Sequence, residues 1–206
     1  MKLGITNWED KNIRYDQTRN SIETIIKKIK LEIRKKENAD IKLGYYESCG
    51  VSAFCTLMEG MGFLKESDYP SLPNGKTIQF DDWVMMYLND PKNSFSTDVD
   101  QMDNRLFKNY VKLGLELFDC KADYVKRPSW NDIANHLKTG DGVQLCLIKP
   151  GHYIAAIAYD DQDDKIIFHD SWGKRAGLKN NGYFEELDKT GFDKNVKEYA
   201  VIYHKK

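Results

Sequence analysis

The apolar pattern of this chain changes period after residue 140, and that change limits the folds open to it. In the first part, apolar residues recur at steps of three and four. Ile22, Ile25, Ile26, Ile29 and Ile33 form one stripe, which predicts a helix over 18–36. A second helix is predicted from Cys49 to about Met61 with Gly62 to close it, and a short one over "FDDWVMMYLND". A further helical stretch lies near 103–118. "PSWNDIANHLKTGD" then adds a helix with Ser129 placed to cap it and Gly140 to stop it. Beyond that point "GVQLCLI", "HYIAAIAYD" and "KIIFHDS" are rich in β-branched and aromatic residues and are divided by turn residues, as successive strands are. "YFEEL" and "EYAVIYHK" supply more. Helices first and an antiparallel sheet later make an α+β architecture.

A chain of 206 residues with 41% hydrophobic and 31% charged composition is long enough to bury one real core. It shows no repeat, low-complexity tract or linker, so residues 1–206 are expected to form a single domain, with 1–42 as an N-terminal helical extension. The net charge of -1 gives no basis for nucleic-acid binding. Two local runs stand out, the basic "KKIKLEIRKK" at 27–36 and the acidic "DDQDDK" at 160–165. Each is also what a solvated helix face or a polar turn looks like. The first residues carry no apolar core of a secretory signal, and no apolar run has the length of a membrane span. Synthesis in the cytoplasm without membrane insertion is the expectation. The sequence leaves the oligomeric state open.

Cysteines stand at 49, 55, 120 and 146, and histidines at 136, 152, 169 and 204. The cysteines form no C-x-x-C pair, and the two sets do not combine at zinc spacings, so neither a metal nor a cofactor is expected. Free thiols in a reducing compartment follow. Cys49 differs from the rest because it falls at the predicted start of a helix, where free N–H groups and the dipole favour a thiolate. His152 follows a Pro-Gly turn and opens an alternating strand, so its ring sits at a strand end. Asp170 ends the next strand, across a hairpin from His152, where a carboxylate can hold the imidazole by one nitrogen. His169 points to the opposite face of that strand and is expected to stand aside. Singly, these residues read as a buried cysteine, a core-edge histidine and a turn aspartate. Together they make a nucleophile on a helix, then a base and its orienter on adjoining strands. Cys55 lies a turn and a half into its helix, on the buried stripe, and is a poor nucleophile.

These pieces resemble the papain-like cysteine peptidases, most closely the group related to double-glycine leader peptidases. The resemblance is carried by "SCGVSAF" around Cys49, by "SWNDIANHLKTGDGVQLCL" before the histidine, and by "GHYIAAIAYDDQDDKIIFHDSWG" with the base and acid. "DSWG" is similar to the Asn-Ser-Trp-Gly of papain-type enzymes, with Asp170 in the asparagine position. The likeness spans roughly 43–187 and leaves 1–42 and 64–125 unexplained. It implies Cys49 as nucleophile, His152 as general base and acid, and Asp170 as orienter, with Trp172 and Gly173 walling the site. One departure is that Leu43 stands where the family usually has a glutamine that helps bind the oxyanion. Losing such a donor costs on the order of 10²–10³ in rate. Tyr45 or Tyr46 can supply a phenolic O–H instead, with Asn38 a lesser candidate; otherwise the enzyme is slow or the fold is a peptide-binding module. Transglutaminase-like enzymes also use Cys, His and Asp, but the resemblance implies a shorter gap between the first two. The acidic segments at 160–165 and 96–104 raise calcium, although neither has the ligand spacing of a full calcium loop.

The resemblance implies a cysteine peptidase acting on peptide or peptidoglycan. An endolysin-type cell-wall hydrolase, released across the membrane by another protein, is the expected form. An intracellular protease and an inactive peptide-binding module are the alternatives.

Overall fold

Alternation in the last third of the chain puts apolar side chains on both faces of a sheet, and helices from both parts of the sequence cover it. The computed structural model describes residues 1–10, 13–15, 49–65, 68–70, 79–89, 91–93, 107–148, 151–173 and 177–206. Among them the elements run β1 (Lys2–Gly4), α1 (Cys49–Gly60), α2 (Phe80–Asn89), α3 (Phe107–Phe118), β2 (Ala122–Lys126), α4 (Trp130–Thr139), β3 (Gly142–Leu147), β4 (His152–Asp160), β5 (Lys165–His169), β6 (Glu185–Asp188), α5 (Lys189–Asn195) and β7 (Val196–Tyr203). The strands pair antiparallel in the order β2-β7-β3-β4-β5-β6. β3 pairs with the first half of β4, and β1 pairs with its last three residues.

Every residue of β4 is buried, as the apolar run from Tyr153 to Tyr159 between its two ends requires. Tyr153, Ala155 and Ile157 turn towards one layer, where Phe54, Leu57 and Met58 of α1 meet Val84 and Leu88 of α2 and Tyr110 and Leu113 of α3. Ile154 and Ala156 turn the other way, onto Trp130, Ile133 and Leu137 of α4 and Phe192 of α5. Each Val, Leu, Ile, Met or Phe among them contributes about 1.5–3 kcal/mol by leaving water. A register shift between Ala156 and Ala158 places Ile157 and Ala158 in the same layer, so Tyr159 resumes on the other face.

α4 begins and ends where its capping residues predict. Ser129 accepts from the Asp132 N–H at 3.1 Å, and the Asp132 carboxylate accepts in return from the Ser129 N–H. Gly140 closes the helix with φ of 93°, a left-handed conformation that favours glycine.

The order of helices first and sheet later needs three amendments, one of them α5, a helix the sequence reading did not place, between β6 and β7. β1 precedes every helix described, and β2 lies between α3 and α4. β1 has three residues, too few to show a period. β2 reads "ADYVK" on the sheet's edge, half-exposed and without clean alternation. The predicted helix over 18–36, the basic run at 27–36 and most of the proposed extension lie outside the described residues, as does the acidic segment at 96–104.

Candidate active site

Cys49 is the first residue of α1, so its own N–H and those of the next turn lie outside the helix's internal hydrogen bonding. α1 is buried along nearly its whole length, and its start is fixed from the sheet side. Gln144 of β3, fully buried, donates from Nε2 to the Gly50 carbonyl at 3.1 Å. Its Oε1 accepts from the Tyr203 hydroxyl of β7 at 2.7 Å. Gly50 admits no larger residue, since a β-carbon there would stand 2.1 Å from the Tyr110 hydroxyl oxygen. The helix that begins at Cys49 is thus seated by two strands and one helix. The sequence reading missed Gln144, because a polar residue inside an apolar strand signals burial only once its partners are known.

His152 opens β4 opposite Leu147, and its side chain is 3% exposed. Nε2 donates to Asp170 Oδ1 at 2.7 Å. Cys49 is the other side chain near enough to act on the ring. Burial disfavours a charged imidazole, but the bond to Asp170 and the nearness of Cys49 outweigh it. The pKa of His152 is raised to about 10. Trp172 packs its indole against the imidazole with ring centroids 5.0 Å apart, shielding the His–Asp pair from water.

Asp170 is held from several sides. Its Oδ1 also accepts from the Trp172 N–H at 2.7 Å. Its N–H donates to the Gly182 carbonyl at 2.9 Å, and its own carbonyl accepts from Arg14 Nη1 at 2.9 Å. The Arg14 guanidinium lies 4.1 Å from the centre of the Tyr183 ring. Residue 14 therefore braces a loop 156 positions away, a contact invisible in sequence.

The structure brings Cys49, His152 and Asp170 together. It turns His169 elsewhere: Nδ1 accepts from the Phe184 N–H at 3.3 Å, the ring packs on Phe184, and the buried Nε2 has no hydrogen-bond partner among the described residues. Burial is the main cause that lowers its pKa to about 4. Cys55 is fully buried, with its thiol pushed well up by burial and by the acidic groups Asp81 and Glu59. Burial likewise pushes Cys120 up to about 12, and Cys146 is buried in β3. Tyr45, Tyr46, Leu43 and Asn38 lie outside the described residues. The acidic "DDQDDK" forms a turn in which the carboxylates of Asp160, Asp161 and Asp164 are engaged. Asp160 accepts from the Gln162 N–H at 3.1 Å and pairs with Lys2 at 3.6 Å, while Asp164 accepts from Trp130 Nε1 and the Tyr159 hydroxyl.

Helices packed on an antiparallel sheet, with a cysteine at a helix start facing a histidine and an acid on adjoining strands, define the class: this is the papain-like cysteine peptidase fold. Within that class the match is more specific. The model of the Peptidase_C39 like family matches residues 26–200, and the chain belongs to that family of cysteine peptidases. The match extends beyond the 43–187 expected from motifs alone. Among solved structures, a C39-like peptidase from Bacillus anthracis is similar, at 12% identity over 77% of this chain and 89% of that one, with a TM-score of 0.43. No curated protein matches the chain.

Proposed function

We propose that this protein hydrolyses peptide bonds with Cys49 as nucleophile, His152 as general base and acid, and Asp170 as orienter. The observation that carries the reading is the buried imidazole bonded through Nε2 to Asp170, with Cys49, at the start of α1, near enough to favour the charged ring. With the proton already held on the His152 ring, Cys49 Sγ attacks the scissile carbonyl carbon to give a tetrahedral oxyanion. The Cys49 N–H at the start of α1 is one donor to that oxygen, and Tyr45 or Tyr46 is the second. Collapse breaks the C–N bond, His152 returns the proton to the leaving amine, and a thioester remains on Cys49. Water, deprotonated by His152, then releases the acid and restores the thiol. Asp170 keeps the ring in the orientation that serves both proton transfers.

The substrate proposed is the peptide portion of peptidoglycan, as for an endolysin-type hydrolase. Its support is the resemblance of the Cys49 and His152–Gly173 segments to a group that includes cell-wall lysins. The test follows purified protein on isolated bacterial walls by turbidity and released amines, with casein in parallel and Cys49→Ala as control. Wall lysis lost in Cys49→Ala supports the whole reading. Cleavage of casein alone replaces the substrate with protein. No cleavage together with an unreactive thiol replaces the peptidase with a peptide-binding module.

A further inference from the structure

A second group of chemically capable side chains lies at the far end of the sheet. β3 runs from Gly142 to Leu147, the strand partner of His152, which puts its start about 17 Å from the candidate active site at 3.3 Å per residue. At that start, Asp141 Oδ2 lies 2.9 Å from His136 Nδ1 and 3.3 Å from His204 Nδ1. All three atoms fall within 4.8 Å of one another. Four ligands held at about 2.0–2.1 Å in a tetrahedron stand about 3.4 Å apart, so this spacing is close to that of three corners around zinc.

The outer contacts support the same reading independently. His204 Nε2 donates to Asp123 Oδ2 at 2.8 Å. A carboxylate on the far nitrogen is what orients a metal-binding imidazole and fixes Nδ1 as its lone-pair atom. Asp141 Oδ1 accepts from the Lys205 N–H at 3.0 Å, which aims Oδ2 at the two rings. The Thr139 hydroxyl reaches Oδ2 at 3.5 Å. Asp141 is buried while both imidazoles are about one-third exposed, so an ion can enter from solvent and keep water at the fourth corner. The neighbouring Cys120 thiol is directed at the carbonyls of Lys121 and His204 and lies outside the ligand set.

We infer that His136, Asp141 and His204 form a zinc site that clamps the C-terminal end of β7 to the corner between α4 and β3. The site stands apart from the peptidase chemistry, and its failure would leave that reading intact.

The test uses the full chain carrying Cys49→Ala, which removes the thiol as a competing zinc ligand. Titration calorimetry with zinc chloride should show one site. Zinc at about a hundredfold excess over its dissociation constant should raise the unfolding midpoint by roughly 5–10 °C. Cobalt(II) in place of zinc should give the strong visible bands of a tetrahedral centre. His204→Ala should abolish binding. Asp123→Asn, at an exposed side chain whose replacement spares the fold, should weaken it about 10–100-fold. The inference is overturned if zinc fails to bind below about 100 μM, a level far weaker than a built site gives. It is also overturned if Asp123→Asn and a folded His204→Ala bind zinc as the parent does.

Discussion

The bond between His152 and Asp170 makes the candidate site testable before any substrate is known. Both side chains are 3% exposed and meet at 2.7 Å. A hydrogen bond to an ionised partner contributes about 1.5–3 kcal/mol and a neutral one about 0.5–1.5. Asp170→Asn keeps Oδ1 as acceptor for the ring and for the Trp172 N–H but removes the charge. The difference, about 1–1.5 kcal/mol, corresponds to about one pH unit. The sign follows from which state loses support: the imidazolium does, so the His152 pKa must fall from about 10 towards its ordinary 6.5. Asp170→Ala removes the whole bond and should lower it by about two units. Nitrogen NMR of protein labelled at its histidines reads this directly, with the His152 resonance assigned by its loss in His152→Ala. Stability moves with it: the contribution of the charged ring is fully present below pH 6.5 and is lost as pH rises through about 10. An unchanged high-pH step in folded Asp170→Ala would refute the assignment of Asp170 as the group that holds the ring.

Iodoacetamide at neutral pH should label Cys49 first among the four thiols, and Cys49→Ala should be folded yet inactive; mass spectrometry of the labelled peptide decides this, and prior labelling of Cys55 counts against it. His169→Leu should keep turnover close to wild type, since the ring lies off the site and its Nε2 meets no hydrogen-bond partner among the described residues. The same variant should flatten the loss of stability on acidification: a folded pKa near 4 gives stability present above pH 6.5 and lost as pH falls towards 4, on the order of 3 kcal/mol. Equal slopes in parent and variant would contradict this. Gln144→Leu leaves the Tyr203 hydroxyl and the second bond to Gly50 unmet in the core and should cost about 2–4 kcal/mol in urea unfolding, so a loss under about 0.5 would show that the bonds matter little. Tyr45→Phe or Tyr46→Phe should lower kcat by roughly 10²-fold with little change in KM, and two fast variants dispose of the tyrosine proposal.

Sequence alone determined the elements whose signal is local. The period of three to four marked α1, α2 and α4, and the Ser129–Asp132 cap and Gly140 set the limits of α4. Alternation after residue 140 marked β3, β4 and β5, and placed Asp170 towards His152 with His169 turned away. Such features lie within one element or one hairpin, where side-chain direction follows from backbone geometry. Tertiary structure decided the rest. Cys49 meets His152 only because α1 packs across β4. Gln144 and Arg14, one reaching Gly50 and the other the Asp170 carbonyl, each act over a separation that no sequence period spans. β1 and β2, too short or too exposed to show a pattern, become strands only by pairing with β4 and β7. His136, Asp141 and His204 illustrate the same limit. His136 and His204 are far apart along the chain and unremarkable there, and they converge because β7 lies beside β3 and returns the end of the chain to the corner where α4 stops. Local geometry is carried by neighbouring residues, whereas a site assembled across a sheet depends on which strands pair, and that is settled by burying the whole core at once.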